Sequence, residues 1–231
     1  MNAKLVKSVF RLAKRDPHSP LERVPQLTNL DFDLLQSPRA LLLDLRAPLA
    51  FSSGFIPGSV NLPQFKSPDL LTTAGLIQER SIYLLTDSPD EIDKAANFFG
   101  RRDDVQIAGW FPSKGVDEWR EMHGTPGTIE HITADTLAVR LAAWKTIVAD
   151  IRDPAAFRAG HIPEAILLPL NDLTGSLAGL PRQTSLSLVC ETGALCTFAA
   201  SLLWKARYRE LAIVKGGLVA YVEQGLPLAR Y

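Results

Sequence analysis

Cys190 and Cys196 are the residues whose type and spacing most directly suggest chemistry in this chain. They are the chain's two cysteines, and Cys190 directly follows the apolar run 186–189, which predicts a buried strand. A thiol between a strand and a helix meets backbone N–H groups and the positive end of the helix dipole, and both lower its pKa. Cys190 is therefore a candidate nucleophile; the alternative is a buried, inert cysteine.

The loop after Cys190 offers backbone N–H groups that can hold an oxyanion or the terminal sulfur of a persulfide. Its candidate substrate-binding residues are Glu191, Thr192, Gly193, Ala194, Leu195 and Cys196. Cys196 has two interpretations. It could resolve an oxidised or persulfidated Cys190 by forming a disulfide, or it could pack the start of the helix as a small apolar residue.

Arg152 and Arg158 are the best local cations for an anionic sulfur donor. We interpret Arg152 as structural. We retain Arg158 as a candidate substrate-binding residue, with its role open.

The sequence stretch that precedes this loop has a second, similar copy in the first half of the chain. Asp44, Arg46, Pro48, Phe51, Gly54, Ile56 and Pro57 recur at one constant offset as Asp150, Arg152, Pro154, Phe157, Gly160, Ile162 and Pro163. In a second matching stretch, Thr86 stands where the later copy has Cys190, so only the second half carries a thiol. A period of roughly a hundred residues is too long for a solenoid and predicts two compact domains in tandem.

We therefore divide the chain into residues 1–27, an N-terminal basic helix and linker, and two domains, 28–127 and 128–231. Short apolar runs at 41–45, 81–85, 147–151, 186–189 and 211–214 predict strands, and helical patterns cover 92–99, 136–144 and 197–207. Strands that alternate with helices predict an α/β fold, in which each half has a mostly parallel sheet covered by helices on both faces. Ligands of such sheets bind beyond the carboxyl ends of the strands, which is where Cys190 lies.

Composition and residue patterns disfavour several other classes of function. The formal net charge is zero, which gives no electrostatic case for nucleic acid or an anionic membrane as the main partner. The apolar runs are too short for an integral membrane segment. Two cysteines and four scattered histidines make no metal site, and no phosphate loop or dinucleotide fingerprint implies a cofactor. Two close cysteines also make no disulfide framework, so we expect a reducing cytoplasm.

The N-terminal segment interleaves basic and apolar residues without an acid until Asp16. It lacks the apolar region of a secretory signal. It could be a transit peptide, a membrane-surface helix, or a basic amphipathic helix that packs on its own domain or leads into it.

Taken together, these motifs resemble the rhodanese (sulfurtransferase) family in its tandem form, from about residue 28 onward. The matching residues are Asp150-x-Arg152, Phe157-x-x-Gly160-His161-Ile162-Pro163, Cys190 with Gly193 in its loop, Lys215-Gly216-Gly217 with Tyr221, and Gly225-x-Pro227. The resemblance implies a persulfide on Cys190. It also implies transfer of sulfane sulfur from thiosulfate, a persulfide or a polysulfide to cyanide, a thiol or a protein acceptor. His161 would be structural.

The same resemblance implies an inactive first domain, because Thr86 cannot form a persulfide and Phe55 replaces the residue matching His161. We expect this domain to shield one side of the Cys190 loop. The alternative hypothesis is a non-catalytic or regulatory module in which Cys190 is a sulfur carrier or redox sensor.

The loop departs from the family pattern in its charges. Leu195 stands where active single-domain relatives often carry an arginine, and Glu191 opposes a dianionic donor. Cys196 stands where related phosphatases have a phosphate-binding arginine, which disfavours phosphatase chemistry. We therefore predict that thiosulfate is a poor donor.

Overall fold

The structure of the protein is a computed structural model that describes residues 24–103, 105–177 and 180–230. The N-terminal basic helix predicted before Pro17 lies outside the described residues. Within the described part of the chain, no helix is long and apolar enough to cross a membrane.

The first half forms a parallel sheet in the order β2-β1-β3-β4. Its strands are β1 (Ala40–Asp44), β2 (Val60–Asn61), β3 (Ser81–Leu85) and β4 (Gln106–Phe111). Its helices are the 3-10 helices Asn29–Gln36 and Pro63–Phe65, and α1 (Pro48–Ser53), α2 (Asp69–Thr73), α3 (Pro89–Phe99) and α4 (Gly115–His123).

The second half forms a parallel sheet in the order β5-β9-β8-β6-β7. Its strands are β5 (Glu130–Ile132), β6 (Ile147–Asp150), β7 (Ile166–Leu167), β8 (Leu186–Val189) and β9 (Leu211–Val214). Its helices are α5 (Ala134–Ala142), α6 (Pro154–Ala159), the 3-10 helix Leu170–Asp172, α7 (Leu173–Ser176), α8 (Cys196–Lys205) and α9 (Gly217–Glu223).

The two sheets have the same strand order, which confirms the predicted α/β class. β1, β2, β3 and β4 correspond to β6, β7, β8 and β9. The additional edge strand β5 has a partial counterpart in the first half, because Gln26 makes an isolated parallel bridge to Trp110 on β4. The backbone N–H of Leu27 also donates to the carbonyl oxygen of Trp110 at 2.7 Å.

An arginine–aspartate pair recurs at the carboxyl ends of the corresponding strands β1 and β6. Arg46 Nη2 donates to Asp44 Oδ2 at 2.6 Å, and Arg152 Nη2 donates to Asp150 Oδ2 at 2.7 Å. In each half the same arginine also donates to the carbonyl oxygen of the glycine that follows the next helix. Since the half without a thiol keeps this arrangement, the pair holds the strand-to-helix connection together and is structural.

Helix α8 lies between the two halves. All residues from Cys196 to Leu203 are buried, and one apolar cluster contains side chains of both sheets. Ser201 Oγ accepts the N–H of Asn61 at 3.3 Å, and the ring of Trp204 meets Phe55 edge to face at 5.1 Å. The helix that begins at the end of the Cys190 loop is therefore positioned by the first half as well as by its own sheet.

Candidate functional site

Cys190 lies at the carboxyl end of β8, at the point where the chain's course across the second sheet reverses. The connection after β6 leads to β7 on one side, and the connection after β8 leads to β9 on the other. The N–H of Ile151 donates to the carbonyl of Val189 at 2.9 Å, which fixes the ends of β6 and β8 side by side. Such a crevice is where open α/β sheets bind ligands.

The loop from Glu191 to Leu195 turns its backbone N–H groups toward the Cys190 sulfur. The N–H of Gly193 donates to Sγ at 3.1 Å, and the N–H groups of Thr192 and Leu195 also donate to it. Gly193 has a φ of 84°, a left-handed conformation that glycine adopts without strain. Cys190 as a residue is 5% exposed, so its sulfur is nearly buried among these N–H groups, which we call the amide cradle.

Because of these donors, Cys190 is acidic for a thiol. The hydrogen bond from the Cys196 side chain is the largest cause, the loop N–H groups add to it, and burial opposes both; together they lower the pKa of Cys190 to about 6. Cys190 is therefore a thiolate at neutral pH, which is the nucleophilic form. The pKa of Cys196 moves the opposite way, well above its usual value, because of its hydrogen bond with Cys190 and its complete burial.

The start of helix α9 donates two backbone hydrogen bonds to Cys190 and its loop. The N–H of Leu218 donates to the carbonyl of Cys190 at 2.8 Å, and the N–H of Val219 donates to that of Glu191 at 3.1 Å. Gly217 makes this approach possible, since a Cβ there would lie 2.3 Å from the Cys190 carbonyl oxygen. The sequence signal for this support is the glycine pair Gly216-Gly217, which follows β9 after one residue.

The charges at the loop form a chain of ion pairs. Glu191 Oε2 lies 3.3 Å from Arg152 Nη1, whose other donors hold Asp150 and a backbone carbonyl. Burial works against the charged guanidinium, but Asp150 and Glu191 outweigh it and raise the pKa of Arg152. Arg152 is thus already paired with Asp150 and Glu191. Leu195, which is 38% exposed, adds an apolar side chain to the edge of the loop.

Two other predicted residues, Arg158 and His161, lie in different environments. Arg158 is exposed in the last turn of α6, and among the described residues it has no ion-pair partner. His161 is buried, its ring stacks on Phe157 at 3.9 Å, and its Nδ1 lies 2.9 Å from the Phe157 carbonyl oxygen. That environment is the packed turn expected of a structural histidine.

The first half has a different group at the corresponding place. The N–H of Leu45 donates to the carbonyl of Leu85 at 3.0 Å, as Ile151 does to Val189, so Thr86 occupies the position of Cys190. The Thr86 hydroxyl donates to the Glu91 carboxylate and accepts the N–H of Ser88. Helix α3 then begins at Pro89, so this loop is shorter and its hydroxyl is fully engaged.

The described ranges contain no group of three or more histidine, cysteine, aspartate or glutamate side chains that could hold a metal ion.

Comparison with known proteins identifies the second half. A sequence profile of the rhodanese-like domain matches residues 133–224. These residues form a rhodanese-like domain. A sulfurtransferase from Allochromatium vinosum is 29% identical over 101 residues, which cover 43% of this chain and 94% of that protein.

Two further likenesses involve longer proteins. An HTH-type transcriptional regulator from Mycobacterium tuberculosis is 32% identical over 99 residues, 42% of this chain and 43% of that protein. The crystal structure of a thiosulfate sulfurtransferase from Pseudomonas aeruginosa is 21% identical, with a TM-score of 0.41. That match covers 91% of this chain and 42% of the other, so this chain spans less than half of either relative.

Proposed function

We propose that this rhodanese-like protein is a sulfurtransferase that receives sulfane sulfur on Cys190 and passes it to a thiophilic acceptor. The observation that carries this proposal is the Cys190 sulfur itself, which is acidified and surrounded by the N–H groups of its own loop. A thiolate is the attacking form of cysteine, and converging N–H groups stabilise the negative sulfur of a persulfide.

The transfer has two displacement steps. The Cys190 thiolate attacks the outer sulfur of a donor R–S–SH, the donor S–S bond breaks, and R–S⁻ leaves as the Cys190 persulfide forms. An acceptor thiolate or cyanide then attacks the outer sulfur, and the Cys190 thiolate leaves. Each step exchanges one sulfur–sulfur bond for a new bond to sulfur, so no external oxidant or reductant is needed.

The loop's charges favour donors with little negative charge. Glu191 is 64% exposed by side-chain area at the loop, and its one described cationic partner, Arg152, is already bound to Asp150. The Leu195 side chain offers no hydrogen bond where a guanidinium could hold a dianion in two places. We therefore propose a persulfide or polysulfide as the donor in preference to thiosulfate, with a small thiol or a protein thiol as the acceptor. The two free thiols support a reducing cytoplasm as the setting.

A second candidate function is a sulfur carrier or redox sensor. It is supported by the absence, among the described loop residues, of any cation that would bind an anionic donor for repeated turnover. This module would take up one sulfur and release it only to a specific partner.

A turnover assay with a donor panel separates the two functions. Wild-type protein and Cys190→Ser are incubated with cyanide and thiosulfate, glutathione persulfide or polysulfide, and thiocyanate is followed over time. A catalyst produces many equivalents of thiocyanate with at least one donor, and Cys190→Ser produces none above background. One equivalent or less with every donor would favour the carrier or sensor, and turnover by Cys190→Ser would refute the proposed nucleophile.

A further inference from the structure

A cavity of about 200 Å³ lies between the two halves of the chain. Ala74 and Leu76, which follow α2, line it from the first half, and Leu170 and Leu173 line it from the second. The end of α8 forms a third wall through Leu202. Ligand sites occur preferentially at such junctions between domains. Neither cysteine lines this interdomain cavity, so it is separate from the proposed sulfur site.

The walls of the interdomain cavity fit a small apolar group. Apart from Thr73, Asn171 and Lys205, every described lining residue is an alanine or a leucine. A cavity of roughly 150 Å³ with apolar walls is large enough to hold benzene. The interdomain cavity, at about 200 Å³, therefore has room for one ring or a short alkyl chain together with a polar head.

Lys205 supplies a cation at the wall of this cavity. It is the last residue of α8, and its Nζ donates to the carbonyl oxygen of Gly58 in the first half at 3.0 Å. An ammonium has three N–H donors, so this bond leaves donors for a ligand. Within the described ranges no carboxylate pairs with Lys205. Desolvation and then the charge of Arg80 lower the pKa of Lys205, and a ligand carboxylate would offset both.

The other polar groups of the lining bring no competing charge. Thr73 Oγ1 donates to the carbonyl oxygen of Asp69 within α2 at 3.1 Å, and Asn171 carries a neutral amide that can donate to a ligand. Asp172, the acid next to Asn171, accepts a hydrogen bond from Ser176 of its own turn at 3.5 Å. Among the described lining residues, the one formal charge is therefore positive.

We propose that the interdomain cavity binds a small organic monocarboxylate, with its apolar body between the leucines and its carboxylate on Lys205. Such a ligand contacts the first half, the second half and α8 at once, so it joins the three walls of the cavity. This site goes beyond the sulfur-transfer function proposed above and does not depend on it.

Hexanoate is the probe for this site, because its alkyl chain is comparable in size to benzene. Its affinity for the full chain is measured from amide chemical shifts of isotope-labelled protein, which also report where it binds. We expect saturable binding that shifts the amides of the lining residues. Acetate, which keeps the head alone, and hexylammonium, which reverses the charge, should each bind at least about tenfold more weakly.

Substitutions at Lys205 separate charge from shape. Lys205→Gln keeps a hydrogen-bond donor without the charge, so it should weaken hexanoate about tenfold and leave the binding of neutral hexanol unchanged. Lys205→Arg should retain most of the hexanoate affinity. Lys145→Gln is the matched control, because Lys145 is exposed and lies outside the lining. Ala74→Phe fills the cavity and should weaken hexanoate and hexanol alike; if that variant fails to fold in a thermal melt, Ala206→Leu takes its place.

The site is overturned if wild type shows no saturable binding of hexanoate. Equal affinities for hexanoate and hexylammonium, or equal losses in Lys205→Gln and Lys145→Gln, overturn the assignment of the carboxylate to Lys205. Unchanged hexanoate affinity in the cavity-filling variant overturns the location. None of these measurements uses a sulfur donor, so failure of this site and failure of the sulfur-transfer function are distinguishable.

Discussion

The N–H of Leu218 donates a hydrogen bond of 2.8 Å to the carbonyl oxygen of Cys190. This bond joins the start of α9 to the residue that carries the thiol. Cys190 is thus held through its carbonyl oxygen by α9 and through its sulfur by the Gly193 N–H of its own loop. The glycine pair before Leu218 is therefore part of the same structure as the thiolate.

We predict that Cys190 alone carries the persulfide. A donor such as glutathione persulfide should add about 32 Da to the wild-type protein, which is the mass of one sulfur atom in a reversible cysteine modification. Cys190→Ser should remain unmodified, and Cys196→Ser should still gain the adduct. The assignment is wrong if the adduct persists in Cys190→Ser and disappears in Cys196→Ser.

Sulfur uptake should depend on pH through the thiolate of Cys190. Since the loop donors lower its pKa to about 6, the reactive form is lost as the pH falls below 6 and is nearly complete at neutral pH. The rate of uptake should rise roughly tenfold from pH 5 to pH 7 and then level off. Thiosulfate, although we expect it to be the poorer donor, suits this profile because its own charge does not change in this range. A rise centred near the usual thiol pKa would contradict the acidified site.

Donor choice should respond to the loop's charges. Glu191→Gln and Leu195→Arg should each improve kcat/KM for thiosulfate more than for glutathione persulfide, because one removes an opposing charge and the other adds a bidentate donor. A tenfold gain corresponds to about 1.4 kcal/mol in transition-state binding. If wild type already prefers thiosulfate and Glu191→Gln leaves that preference unchanged, another cation, with Arg158 as the first candidate, selects the donor.

Gly217→Ala should disrupt the cradle. An alanine Cβ there would lie 2.3 Å from the Cys190 carbonyl oxygen and 2.7 Å from the Gly193 nitrogen. Gly225→Ala is the matched control, because Gly225 also has a positive φ but open space around it. Both variants incur the left-handed strain of about 1–2 kcal/mol, and only Gly217→Ala should also slow the alkylation of Cys190. Equal effects on alkylation would show that the close approach is not needed.

Phe55→Ala should weaken the contact between the two halves. Phe55 is fully buried, stacks on Phe51 at 4.4 Å and meets Trp204 of α8. Loss of a buried phenylalanine side chain costs about 3–5 kcal/mol of unfolding free energy, measured by urea denaturation. Leu49→Ala, in the preceding helix α1 but 62% exposed, should change stability much less. A similar small change in both variants would mean that the first half does not brace α8.

The strands and the repeat could be predicted from the sequence because they depend on local patterns. Runs such as 186–189 are apolar on both faces, which indicates a strand of a covered parallel sheet, and β8 occupies those residues. The repeated motif likewise predicted equivalent positions for Asp44 and Asp150, which the two sheets share.

The properties of the site depended on contacts between residues far apart in the chain. The sequence by itself determined which half holds a thiol, and that a loop and a helix follow it. Only the tertiary structure brought the amides of α9 against the Cys190 carbonyl, paired Glu191 with Arg152, and buried Cys196 at the start of α8. The physical reason is that a thiol's pKa follows from the donors and the burial around it, and these are set by how β6, β8 and α9 meet at one edge of the sheet.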